Sequence, residues 1–319
     1  MNDVITYTEV GRLNYDPTRT TALRNSFATD MNRRFKAIAA AIVISVFKND
    51  CFGLNNTPIR VFQATPITPN AFLFLRDSEK VAAFIKWLDE QIKAEILTVI
   101  DIEQIGQSFD AAWTNRYLFD SYKRGIIRAR NEMIRSGVNV PSVEDSGGIL
   151  NIVSSPFHIE RLGLIFTRFY SDLKGITDVM ESQISRILAQ GIADGDGPRL
   201  LARKLVSAIN GTGVGDLGIT DTLGRFIPAM RRAEILARTE MIRAHHLATI
   251  QEYRNWGLLN IKVKAEWKTA GDDRVCTKCA SLEGQIFTLD EIEPMIPLHP
   301  QCRCIALPYI EELEKYNVK

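Results

Sequence analysis

Charge of one sign is missing from this chain: 39 lysines and arginines stand against 38 aspartates and glutamates, a net charge of +1 over 319 residues. No global field draws such a chain to DNA or to an anionic membrane, so only a local basic face offers an electrostatic route to either. Long apolar runs are missing too. The longest, residues 37–46, is broken by Ser45 and flanked by Lys36 and Lys48. It is too short to span a bilayer and reads as a buried helix, so no membrane partner is expected. The opening Met1-Asn2-Asp3-Val4 has neither a basic leader nor a following apolar stretch, which leads to the expectation of a protein kept in a reducing cytoplasm. Cysteine is scarce: of five, only Cys51 precedes Cys276. A phosphate loop is also lacking. Gly211, Gly213, Gly215 and Gly218 have neither the lysine and Ser/Thr of that motif nor a dinucleotide-binding spacing, and they read as a plain loop.

With 45% hydrophobic residues the chain can bury a sizeable core. Three- and four-residue steps through Leu23, Phe27, Met31, Phe35, Ile38 and Ile42 predict a helix over 20–47. Alternation over 57–64, between proline-bearing turns, suggests a short strand. Ser78 would cap a helix with the face Val81, Phe84, Ile85, Leu88, Ile92 and Ile96. Another face runs from Phe109 to Met133, with core aromatics and with Gly137 ending it. Residues 138–157 have linker chemistry around a short strand at 149–153, which places a boundary near 145/146. Helical periodicity resumes from Leu162 to Ile187, and Pro198 opens a further helix burying Leu201, Leu205 and Ile209. After Pro228 a long helix carries one stripe from Ile235 to Trp256 and a second of small residues, Ala233, Ala237, Ala244 and Ala248, until Gly257 stops it. Three units result: a mostly helical 1–145, a helical 146–257, and a small β-containing 258–319. The fold class is mainly α, a helical scaffold with a small α+β C-terminal module clamped by a Cys/His zinc-type site.

The chemistry lies in that module. Ile261, Val263, Ala265 and Trp267 alternate as a strand, and Trp267 reads as an anchor against the long helix. Cys276-x-x-Cys279 then suits a knuckle, in which a tight turn aims two sulfurs at one metal. Gly284 and 285–288 form a turn and a second strand, and Pro297-Leu298-His299-Pro300 leads into Cys302-Arg303-Cys304. Five candidate ligands compete for four positions. Cys276, Cys279 and His299 are the preferred set, completed by Cys302 or Cys304, and all-cysteine ligation is the competitor. In a reducing compartment such a cluster favours metal over disulfides. A structural zinc ion contributes roughly 10 kcal/mol or more of apparent folding free energy, enough for a module with few buried side chains. A catalytic zinc keeps one position open beside a carboxylate base, which a surplus of ligands argues against.

These segments resemble the head morphogenesis family of tailed bacteriophages, the minor head proteins similar to phage Mu protein F. The resemblance is carried by 232–240 (Arg-Ala-Glu-Ile-Leu-Ala-Arg-Thr-Glu), Trp267-x-Thr269, Asp273-Arg274-x-Cys276-x-x-Cys279, Leu282-x-Gly284 and Pro297-x-His299-Pro300-x-Cys302-Arg303-Cys304, ending near Pro308. It covers roughly the last 150 residues, and before them only the helical character and Asp16-Pro17 agree. It implies a structural protein of the virion head, present in few copies and assembled in the host cytoplasm. Its implied partners are the portal protein, the major capsid protein and the packaged DNA, with no small-molecule substrate. Many members of the family lack the first cysteine pair, so a metal would be a variant of the module.

Two other classes compete. An ADP-ribosyltransferase-like enzyme needs paired glutamates, for which Glu291-x-Glu293 is the sole candidate, and a solvated acidic run with Asp290 explains the pair more simply. A zinc-containing DNA-binding module needs a basic stripe, and Arg225, Arg231, Arg232, Arg238 and Arg243 supply one on the long helix, with Arg231 and Arg232 as candidate nucleic-acid contacts. Glu234 and Glu240 are spaced to neutralise part of it. His245-His246 has no nucleophile at a set spacing, His158 opens a helix without evident chemistry, and Cys51 reads as a small buried residue. The expectation is a protein without catalytic residues.

Overall fold

A computed structural model describes residues 16–55, 72–100, 102–211, 227–257 and 263–310. The strand expected at 57–64, the glycine loop at 213–218, Arg225 and Ile261 lie outside the described residues. The element order is α1 (Thr21–Ile42), α2 (Asp77–Glu95), α3 (Asn115–Arg135), α4 (Ile149–Val153), α5 (Pro156–Ala193), α6 (Pro198–Asn210), α7 (Ala229–Gly257), β1 (Val263–Lys268), α8 (Thr277–Ala280), β2 (Ile286–Phe287), α9 (Leu289–Ile292) and β3 (Ile305–Ile310). α1 continues as a π-helical turn over Val43–Lys48. Among the described residues the chain is thus mainly helical with one three-stranded antiparallel sheet near its C-terminal end, in the order β2-β1-β3. No described helix is long and apolar enough to cross a membrane.

The apolar faces expected of the long helices meet in one cluster. Phe27, Met31, Phe35, Ile38 and Ile42 of α1 pack with Phe84, Leu88 and Ile92 of α2, Tyr122 and Ile126 of α3, Phe169 and Leu173 of α5, and Leu201, Leu205 and Ile209 of α6. Helices on both sides of position 145/146 enter it. α7 runs through the middle, and its alanines 229, 233, 237, 244 and 248 are fully buried. Small side chains let neighbouring backbones come close. The tightest approach is at Gly125 of α3, where a Cβ would lie 2.3 Å from the His245 carbonyl oxygen and 2.8 Å from Ala248 Cβ. A second cluster joins the far ends of α3 and α7 (Ala129, Met133, Ile242, Ile250, Tyr253) to the sheet, through Ala265, Trp267, Ile292, Ile296 and Ala306. Trp267 is fully buried there, as an anchor should be.

Three local expectations are corrected. Residues 149–153 form α4, not a strand: Gly148, at φ +92°, turns the chain into it, and Ile152 and Val153 pack into the core between α3 and α5. Tertiary packing overrides the β-branched composition. α3 begins at Asn115, well after Phe109, because the Asn115 side chain donates to the Ile105 and Ser108 carbonyls and ties down an irregular turn. Phe109 is half-exposed and stacks on Phe119 at 5.1 Å, so it is not core. Ser78 lies inside the first turn of α2, which starts at Asp77 without a side-chain cap.

Candidate metal centre

β1 and the turn after it deliver the first ligand pair. Cys276 precedes the one-turn α8, its sulfur accepts from the Cys279 backbone N–H at 3.4 Å, and the turn thereby aims both thiols the same way. The second group arrives from 299–304, ahead of β3, so Cys302 and Cys304 stand in irregular chain and not on a strand. This loop is held from two sides. Gln301 adopts a left-handed φ of 61° and donates its N–H to the Thr239 hydroxyl on α7 at 3.0 Å. Arg303 makes a two-pronged pair with Asp272 at 2.6 Å on each arm, and Asp272 also accepts from Arg274 at 2.9 Å. These bonds, Arg303's above all, hold the Asp272 carboxyl well below the usual carboxylate range. A planar fork on a carboxylate fixes angle as well as distance, so this pair sets the ligand segments against each other.

All five predicted ligands converge. Cys276, Cys279 and His299 offer ligand atoms within 4.8 Å of one another, as do Cys279, Cys302 and Cys304, so Cys279 belongs to both sets. His299 Nε2 lies 3.4 Å from Cys276 Sγ and 3.2 Å from Cys279 Sγ, and Cys279 Sγ lies 3.9 Å from Cys302 Sγ. Sulfur and nitrogen ligands at zinc bond lengths are separated by roughly 3.5–3.8 Å along the edges of a tetrahedron, and these gaps are close to that. His299 Nδ1 donates to the Pro300 carbonyl at 2.8 Å. A neutral imidazole that donates from Nδ1 carries its lone pair on Nε2, the atom facing the thiols, and this is the outer-shell arrangement that orients metal-bound histidines.

The electrostatics of the cluster fit a cation. A hydrogen bond from the Cys304 thiol, opposed by burial and helped by the Cys304 and Leu298 N–H groups, lowers Cys302 to about 5. The same bond, burial and the neighbouring sulfurs push Cys304 up. Burial and Cys302 raise Cys279 to about 12, while the Cys279 N–H lowers the exposed Cys276. Without a cation the Cys302 thiolate keeps its neighbours Cys279 and Cys304 protonated, and a divalent ion among them relieves that repulsion. The space beside them, bordered by Cys276, Cys279, His299 and Cys304, is about 20 Å³. That accommodates one ion or water and no organic substrate.

The other candidates fall elsewhere. Arg231 pairs with Glu234 at 2.7 Å, Arg238 with Glu234 at 3.2 Å, and Arg243 with Glu240 at 3.0 Å, while Arg232 is half-buried. The stripe on α7 is thus largely ion-paired. Glu291 completes a capping box with Thr288, and Glu293 pairs with Arg161 and with Arg254. Each glutamate is occupied in holding structure.

One buried group went unread in the sequence. Glu252 of α7, fully buried, accepts from Arg130 Nε at 2.7 Å and bonds His158 Nε2 at 2.9 Å, and His158 Nδ1 bonds the Tyr122 hydroxyl at 2.8 Å. Burial pushes the Glu252 carboxyl up, but His158 and Arg130 outweigh it and hold it below the usual range. The only signal was four polar side chains on otherwise apolar helix faces, and nothing in their spacing pairs them.

Residues 182–307 match the family model described as Phage Mu protein F like protein. The resemblance read from the sequence therefore holds over the end of α5, α6, α7 and the whole Cys/His module. No curated protein and no solved structure matches the chain.

Proposed function

We propose that this chain is a structural minor head protein of a tailed phage, which acts in procapsid assembly beside the portal, with its C-terminal module closed by a structural zinc ion. The observation that carries this reading is the coincidence of the family match with the long helix and the Cys/His module that packs on it. Cys276, Cys279 and His299 would hold the ion with Cys302, the sulfur 3.9 Å from Cys279, while Cys304 supports it from the same cluster. Zinc would supply a cross-link between the 276–279 turn and the 299–304 loop, and the protein residues supply the rest: Asp272 and Arg303 align the two arms and Thr239 ties the loop to α7. The ion-sized space and the commitment of Glu291 and Glu293 to capping and ion pairs speak against an enzyme. The expected partners are the portal protein and the major capsid protein, and the expected location is the phage head.

Co-expression with the neighbouring portal protein tests the assembly role. A stable complex, and the presence of the chain in purified procapsids, are expected. Absence of both defeats the reading. Metal analysis tests the site separately: one zinc per chain is expected, and a metal-free protein with unchanged melting removes the clamp.

A further inference from the structure

The outer faces of α5 and α7 leave a groove between them, of about 450 Å³, that contains none of the metal ligands. Arg168 of α5 reaches Glu240 of α7 at one end, and Arg161 of α5 and Arg254 of α7 meet on Glu293 at the other, so the two helices run antiparallel along it. From Phe157 to Arg168 the groove is about 16 Å long, at about 1.5 Å per residue, or roughly three helical turns. Buried Ile165 and half-buried Leu247 line it beside Phe157 and Leu164, which stand 42% and 73% exposed. We propose that this groove takes a helix of a partner protein, apolar along one stripe and carrying two basic residues seven or eight positions apart.

The charges of the groove select the partner. Its guanidinium groups are already answered: Arg161 pairs with Glu293, Arg243 Nε donates to Glu240 Oε1 at 3.0 Å, and Arg168 has Asp172 and Glu240 on either side, each at 3.7 Å. Its acceptors are not. Glu240 is buried, yet its Oε2 has no hydrogen-bond partner among the described residues, and a buried carboxylate oxygen left so is costly. Glu160 is exposed and enters no ion pair among the described residues. The groove therefore lacks donors near both of its ends. Arg168 marks the place of Glu240, and Glu160 stands about 12 Å before it along α5. Basic residues seven or eight positions apart on an incoming helix are spaced by about 10.5–12 Å. A cation set over Glu240 takes the place of Arg168, whose contact is too long for a hydrogen bond, and leaves it to Asp172 on its own helix.

Other occupants fit less well. Both walls are helices whose backbone groups are bonded within themselves, so an extended segment would find nothing for its own N–H and C=O groups. A helix arrives with those groups satisfied and lays an apolar stripe between two others, ridge into groove. A small ligand needs walls that close around it, and Phe157 and Leu164 stand open to solvent. A second copy of this chain placed groove to groove would set Glu160 and Glu240 against the same unmet acceptors, which is repulsion in place of complementarity. The inference does not rest on the role proposed above.

The test is fluorescence anisotropy of the full-length protein with a labelled helical peptide of about 18 residues, bearing leucine at i, i+3, i+4 and i+7 and two lysines seven positions apart beside that stripe. Its twin carries glutamate in place of both lysines. The lysine peptide should bind about tenfold more tightly than the twin. Leu164→Asp should weaken it by about tenfold with melting unchanged, because Leu164 is exposed. Glu160→Lys should abolish most of the preference, and a peptide with only the facing lysine changed to glutamate should restore binding to that variant; this swap decides the matter even where Leu164→Asp disturbs the fold. Equal affinity for the two peptides, no binding of either at about 1 mM, or indifference to both substitutions would overturn the proposal. Sedimentation is the control for self-association: a dimer of the wild type that Leu164→Asp dissociates makes the groove an interface between copies and likewise overturns it. The peptides contain no phage sequence, so failure of a portal complex to form leaves the outcome of this test unaffected.

Discussion

The two hydrophobic clusters of this protein are filled differently. The larger is built mostly from long side chains on long helices: Phe27, Phe35, Phe84 and Phe169 are fully buried, and seven helices, α1 to α7, contribute. The smaller relies on Trp267 and a few aliphatic residues, with Cys279, Cys302 and Cys304 occupying positions that in the larger would hold leucine or phenylalanine. Its sheet has a two-residue strand on one edge, and its helices α8 and α9 are one turn each. Helices that short are not stable by themselves. The helical body therefore stands on area, and the module stands on whatever joins its two ligand arms and on what the body lends it at the ends of α3 and α7.

The sharpest way to break that contrast is to remove the joint. Chelation of the metal-loaded protein, or Cys279→Ser, which removes the thiol common to both ligand sets, should cost the module on the order of 10 kcal/mol of apparent stability. Trp267 fluorescence should shift to a solvent-exposed spectrum while most of the far-UV helical signal persists. Simultaneous loss of both signals would mean that body and module are one cooperative unit. Loss of neither would mean that packing alone holds the module.

The body has a polar staple of its own, which gives the second test. Glu252→Ala leaves Arg130 buried and uncompensated and deprives His158 of its partner. Breaking a buried pair from one side costs about 3–5 kcal/mol, seen as a lower midpoint in urea. Zinc content should stay at one per chain, because the staple touches no ligand. A variant as stable as the wild type would show that the staple adds nothing beyond the packing around it.

These tests fall on residues of unequal legibility. The apolar faces of α1, α2, α5 and α6 were readable because burial repeats every three or four residues. The Cys/His cluster was readable because thiols are rare in the chain and fall in two short groups. The Asp272–Arg303 pair and the Glu252 staple were not, since each joins residues 31 and 122 positions apart respectively, with no pattern between them. α4 was misread for a related reason: five residues carry too little periodicity to outweigh composition, and the packing partners that decide their state come from other helices.

The smallest expected effect concerns the seam between body and module. His246 of α7 donates from Nε2 to the Ile292 carbonyl of α9 at 3.2 Å, a direct tie from one region to the other. Burial is the main cause that pushes its pKa down to about 4, and the Ile292 carbonyl offsets it in part. A base with a depressed folded-state pKa takes its proton first in the unfolded chain, so stability is full above about 6.5 and falls as pH drops toward 4. Between pH 7 and pH 5 this amounts to about 2 kcal/mol. Buried His245, lowered to about 3, adds a loss of the same sign. Ligand protonation also weakens a metal site in acid, so the two sources must be separated. His246→Gln removes the titration and leaves the ligands in place. Its unfolding free energy, followed by the helical signal at pH 7 and pH 5, should fall less than that of the wild type. An equal fall in both would place the acid sensitivity in the thiol and imidazole ligands of the module and leave the seam without a part in it.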